Sequence, residues 1–95
     1  MDEDVISGIM SRKSLKIIKY LYINDYATYR VLERKLKIDG KSARKYVELL
    51  SNYGIVKVMK IGRAYVIMLN RGGKYTKAVI EFLREVGYLW TLNRY

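Results

Sequence analysis

Apolar positions recur with a helical period up to Gly54 and with a period of two just beyond it, and that switch predicts the order of elements. Behind three acids, Asp2, Glu3 and Asp4, the residues Ile6, Ile9 and Met10 stand at helical spacing, which fits either an arm or a short extra helical turn. Ser11 or Ser14 can cap a longer helix in which Leu15, Ile18, Leu21 and Tyr22 form one stripe, with Lys13, Lys16 and Lys19 elsewhere on its surface. That helix ends near Asn24-Asp25. Thr28 is the next N-cap, and Val31, Leu32 and Leu36 give a short apolar face beside Arg30, Arg34 and Lys35. After the break Lys37-Ile38-Asp39-Gly40, Asp39 caps a third helix whose apolar positions are Ala43, Tyr46, Val47, Leu50 and Tyr53, and Gly54 stops it.

Beyond Gly54, the runs 55–61 and 64–69 are rich in branched and aromatic residues and are separated by Gly62-Arg63, a two-residue loop that suits a β-hairpin. Asn70-Arg71-Gly72-Gly73 is loop chemistry. A last helix then carries Tyr75, Ala78, Val79, Phe82, Leu83, Val86, Leu89 and Trp90 as an apolar stripe, bent or interrupted at Gly87. Three helices with a short second member and a tight turn before the third make a helix-turn-helix, and the hairpin after it supplies a wing. The fold class expected is mainly α with a small β-hairpin (α+β): a winged helix-turn-helix with a C-terminal dimerisation helix. Residues 1–10 are an arm or extra turn, 11–70 the winged-helix domain, and 71–95 the dimerisation helix and tail.

Ninety-five residues suffice for one compact core. No apolar run approaches the ~20 residues that span a bilayer, and the acidic start lacks the features of a secretory signal, so a cytoplasmic, nucleoid-associated location is expected. The absence of Cys and His removes disulfides, thiol nucleophiles, imidazole bases and most transition-metal ligands. No acid pair or nucleophile with its base is evident either, so neither an enzyme nor a cofactor is expected. Proline is also absent while Ile, Lys and Tyr abound, a usage that resembles that of thermophilic archaea. The net charge is +10, and it is localised: 14 Lys and Arg lie between Arg12 and Arg63 against Asp25, Glu33, Asp39 and Glu48, whereas the flanks hold five of each sign. A concentrated excess of this kind attracts a polyanion, and nucleic acid is the obvious one.

The segment Ala27 to Val56 resembles the core of winged-helix regulators of the MarR, PadR and ArsR kind. Ala27-Thr28 stands where they place a small residue and Thr before the second helix. Leu32 and Leu36 match the Leu-x-x-x-Leu within it, Asp39 the polar turn, and Leu49-Leu50 with Gly54-Ile55-Val56 the approach to the wing. The stretch from Leu69 to Leu83 is similar to the passage by which such domains enter a dimerising helix, although Asn70 stands where Thr is common and the wing is short. The likeness spans about residues 12 to 90. It implies a homodimer on double-stranded DNA. In size the chain also resembles small winged-helix proteins of crenarchaeal plasmids and viruses, among them partition-site binders that coat DNA.

Gly40-Lys41-Ser42 is not a nucleotide-binding loop. That loop needs a second glycine five residues earlier, where Lys35 stands, and a buried strand before it. On a helical wheel Ala43, Tyr46, Val47 and Leu50 share one face and Lys41, Arg44, Lys45 and Glu48 the other. A charged face is most often merely solvated. On the third helix of this order it is expected to enter the major groove, with Arg44 first for a base contact and Lys41, Ser42 and Lys45 shared between bases and phosphates. Glu48 can accept from cytosine, but a pairing with Arg44 four residues earlier is favoured.

Thr28, Tyr29 and Arg30, at the start of the second helix, are expected on phosphate. Lys57, Lys60 and Arg63 ride on the hairpin, where lysines equally serve to deter aggregation. Most of the tyrosines, including Tyr22, Tyr46, Tyr53 and Tyr65, read as packing residues. Val79, Phe82, Leu83, Val86, Leu89 and Trp90 are more apolar surface than one small core hides and are expected across a twofold axis. The function expected is sequence-specific DNA binding by a homodimeric transcriptional regulator. The alternatives are an architectural or plasmid-partition protein that spreads along DNA, or a winged-helix adaptor for another protein.

Overall fold

The computed structural model describes residues 1–90; the side chain of Trp90 and residues 91–95 lie outside the described part. The elements run α1 (Glu3–Ile9), α2 (Arg12–Asn24), β1 (Tyr26–Thr28), α3 (Tyr29–Leu36), α4 (Gly40–Asn52), β2 (Val56–Ile61), β3 (Ala64–Leu69) and α5 (Lys74–Glu85), with a final 3-10 turn at Tyr88–Trp90. Side-chain caps start the first four helices. Asp2 accepts from the Val5 amide, Ser11 from Ser14, Thr28 from Val31 and Asp39 from Ser42, each satisfying one of the amide donors that a helix start leaves open. None of the helices in the described residues is long and apolar enough to cross a membrane.

The undecided start is thus a capped helix, and it is seated on α4. Ile9 is buried, and the Gly8 backbone lies close against Leu49. Of the two serines offered as caps for α2, Ser11 takes the role while Ser14 falls on the buried face with Ile17, Ile18 and Leu21. The expectation that Lys19 lies on the surface is corrected: it is 1% exposed, with Nζ 4.8 Å from the centroid of the Tyr88 ring. The chain reaches that position because Gly87, at φ +79°, ends α5 and turns the following residues back over α2.

The sheet is larger than the expected hairpin. β1 adds a third antiparallel strand in the order β1-β3-β2, pairing Tyr26 with Met68, Ala27 with Ile67 and Thr28 with Val66. The hairpin itself has the expected two-residue loop, with Ile61 opposite Ala64 and Gly62 at φ +62°. Its inner face sends Val56, Ile67 and Leu69 into a core shared with Leu21, Leu32, Leu36, Val47 and Leu50. Where Thr is common in the resembled proteins, Asn70 donates from its side-chain amide to the Gly54 carbonyl at 2.8 Å, which ties the end of β3 to the turn between α4 and β2. Arg71 closes the adjoining corner by donating to the Tyr22 carbonyl and to Asp25.

Candidate nucleic-acid interface

Helix α4 has the two faces its periodicity implies. Ala43, Val47 and Leu50 are fully buried, whereas Lys41, Arg44, Lys45 and Glu48 are exposed. Since the apolar side is fixed in the core, the cations on the other side are held at the surface.

At the start of α4 a small polar cluster forms across sequence-distant segments. Lys13 of α2 donates to the Ser42 hydroxyl at 3.0 Å and lies 3.7 Å from the Asp39 carboxylate, which in turn accepts from the Ser42 amide at 3.0 Å. Hydrogen bonding from the Ser42 side chain and backbone, followed by the Lys13 charge, holds the Asp39 carboxyl below its ordinary value of 3.8. Ser42 therefore belongs to a capped turn, and Lys13 joins the positive surface there. Nothing in the local sequence around Lys13 signals this, because its partners lie more than 20 residues away in the chain.

A second group gathers between α3, α4 and the wing. Arg44 places its guanidinium carbon 4.5 Å from the centroid of the Tyr29 ring. Tyr29 meets Tyr65 of β3 edge-on at 6.5 Å, and Lys60 Nζ lies 5.8 Å from the Tyr65 ring, opposite it in the strand register. These rings, with Val47, Glu48, Ser51 and Val58, line a trough of about 390 Å³ along the exposed side of α4. Partial burial raises the pKa of the Tyr29 hydroxyl, with Arg44 opposing and Glu48 and Tyr65 adding. Tyr65, read above as packing, is 43% exposed and belongs to the surface. The favoured pairing of Glu48 with Arg44 is corrected as well: among the described residues the ion pairs are Lys13 with Asp39 and Arg71 with Asp25.

The other candidates are placed separately. Thr28 spends its hydroxyl on the Val31 amide at 3.2 Å, and Arg30 is exposed one residue beyond Tyr29. Arg63 is exposed at the wing tip, and Lys57 projects from the opposite sheet face to Lys60. Lys45 lines a groove with the capping Asp2 and with Asp4 of α1, so the acidic start bears on the chain's own α4. The expected dimer stripe divides. Leu83 and Leu89 are buried within their own chain, Val79 is half-buried, Phe82 and Val86 are 50% and 59% exposed, and the Trp90 side chain is outside the described part.

A short helix, a turn and an exposed-face helix backed by a three-stranded wing define a winged helix-turn-helix. Solved structures with this fold match most of the chain. HlyU from Vibrio cholerae has a TM-score of 0.70 at 18% identity, covering 90% of this chain and 97% of its own. The transcriptional repressor BigR from Xylella fastidiosa has a TM-score of 0.75 at 13% identity, covering 96% and 87%. A transcriptional regulator of the ArsR family has 0.64 at 19% identity, covering 95% and 90%. At such identities the likeness establishes the fold. No family profile and no curated protein sequence matches the chain.

Proposed function

We propose that the protein binds double-stranded DNA sequence-specifically as a homodimer and regulates transcription, with α4 in the major groove. The observation that carries this reading is the exposed cationic face of α4, Lys41, Arg44 and Lys45, set on a helix whose opposite side buries Ala43, Val47 and Leu50. The regulators that share the fold support it, as does the charge excess confined to the winged-helix segment. In this arrangement Arg44 donates to guanine O6 and N7, while Lys13, Arg30, Lys41 and Lys60 lie along the phosphates and Arg63 enters the neighbouring minor groove. The dimer forms through Phe82 and Val86 with half-buried Val79. Met1, just ahead of α1, and Ile6 within it, 50% and 48% exposed, extend the same apolar surface, since they share a groove with Val79.

Two α4 helices related by a twofold axis then meet half-sites about 34 Å apart. Fluorescence anisotropy on duplex DNA across a salt series tests the reading. With on the order of eight phosphate contacts per dimer, log K falls with a slope near −7 against log salt. A slope near zero rejects it. Arg44→Ala is expected to erode preference for a selected duplex by roughly 1–3 kcal/mol, and Arg30→Ala to weaken all duplexes alike.

A further inference from the structure

Lys60, Tyr65, Tyr29 and Arg44 form a continuous line of cation and ring contacts across four elements, at 5.8, 6.5 and 4.5 Å in that order. The line has a chemical polarity. A guanidinium over an aromatic ring engages the π face and leaves its in-plane N–H fork for other acceptors, whereas an ion pair with Glu48 would occupy that fork. An arginine held by a ring also has fewer rotamers to lose on meeting a base than one that searches freely in water. Tyr29 is suited to hold it: it follows directly on the capping residue Thr28, is half-buried in the trough, and is met edge-on by Tyr65.

We propose that Tyr29 is a positioning residue whose ring presents Arg44 to the base edges, and that Tyr65 braces it from the wing so that wing and α4 read DNA as one unit. This assigns Tyr29 a role through its ring, in place of the phosphate contact expected from sequence. The inference rests on the DNA-binding reading above.

The test compares a duplex enriched from a randomised pool with a random duplex. Both are titrated with the full chain, its Tyr29→Phe, Tyr29→Leu and Tyr65→Leu variants, Arg44→Ala, and the Arg44→Ala/Tyr29→Leu double variant. The readout is the ratio of the two affinities. Both come from one preparation, so an unfolded fraction cancels. Tyr29→Phe is expected to keep the ratio within about twofold, and Tyr29→Leu and Tyr65→Leu to lower it by about three- to tenfold with the salt slope unchanged. The double variant should lose no more than Arg44→Ala alone, because the ring acts through the arginine. A ratio untouched by Tyr29→Leu overturns the inference, as does a Tyr29→Phe variant that lowers the ratio as far as Tyr29→Leu does, which assigns the effect to the hydroxyl and not to the ring. If Arg44→Ala abolishes discrimination while Tyr29→Leu preserves it, only the positioning role falls. If the unsubstituted chain fails to discriminate at all, base reading falls and the positioning role with it.

Discussion

Helices α4 and α5 run 13 and 12 residues, each with one apolar face, and they differ in what the rest of the molecule leaves uncovered. The inner face of α4 is consumed completely, Ala43, Val47 and Leu50 reaching zero exposure, and what remains outside is cationic. On α5 only Thr76 and Leu83 are buried, while Phe82 and Val86 stay in solvent. One amphipathic period thus serves two ends, because a core of this size has room for only one of the two stripes in full. A charged remainder suits a polyanion, and an apolar remainder suits a like surface.

Substitutions that hit the same class of residue on the two helices separate these roles. Leu50→Ala is expected to cost about 2–5 kcal/mol in denaturant unfolding, since it leaves a cavity against α2 and the sheet. A loss below about 1 kcal/mol would mean that α4 is not fixed as described. Phe82→Glu together with Val86→Glu should leave helix content and cooperative unfolding in place and convert a dimer to a monomer in sedimentation. DNA affinity is then expected to fall about 100-fold as the second half-site is lost. Unchanged sedimentation would remove α5 from the proposed dimer.

A smaller effect lies at the start of α4. Because the folded Asp39 pKa is depressed, its cap contributes stability above the ordinary carboxylate value of 3.8 and loses it as pH falls through the lower folded value. Asp39→Asn should therefore melt below the parent chain near neutral pH, with the gap closing in strong acid. A gap that widens on acidification would contradict the sign. The smallest change concerns Ser14, whose buried hydroxyl has no hydrogen-bond partner among the described residues. Ser14→Ala is expected to be neutral or stabilising by up to about 1 kcal/mol in thermal unfolding, and a clear loss would reveal a partner for that hydroxyl.

Much of α4 was readable from the chain alone, because its cap at Asp39, its period and its stop at Gly54 are all local signals. Its relation to the wing was not. Tyr29 and Tyr65 are joined only once the sheet closes, and Lys13 meets Ser42 only when α2 crosses the start of α4. β1 escaped for a related reason: three residues have no periodicity of their own and become a strand by pairing with β3. The α5 stripe was visible, but its division was not. Leu89 is enclosed because Gly87 reverses the chain, and that same reversal brings Tyr88 over Lys19, one of the cations counted as surface charge.

The three-residue strand Tyr26–Thr28 is the shortest of the strands, and it joins the wing to the helix pair. It is laced to the strand that continues to the wing tip, and it runs without a spacer into the cap of α3. No hinge therefore separates the tip from the helix pair. On the DNA-binding reading proposed above, a duplex that presses on Arg63 would deliver torque to the first turn of α3, and stiff base-pair steps should be penalised at positions where no side chain touches a base.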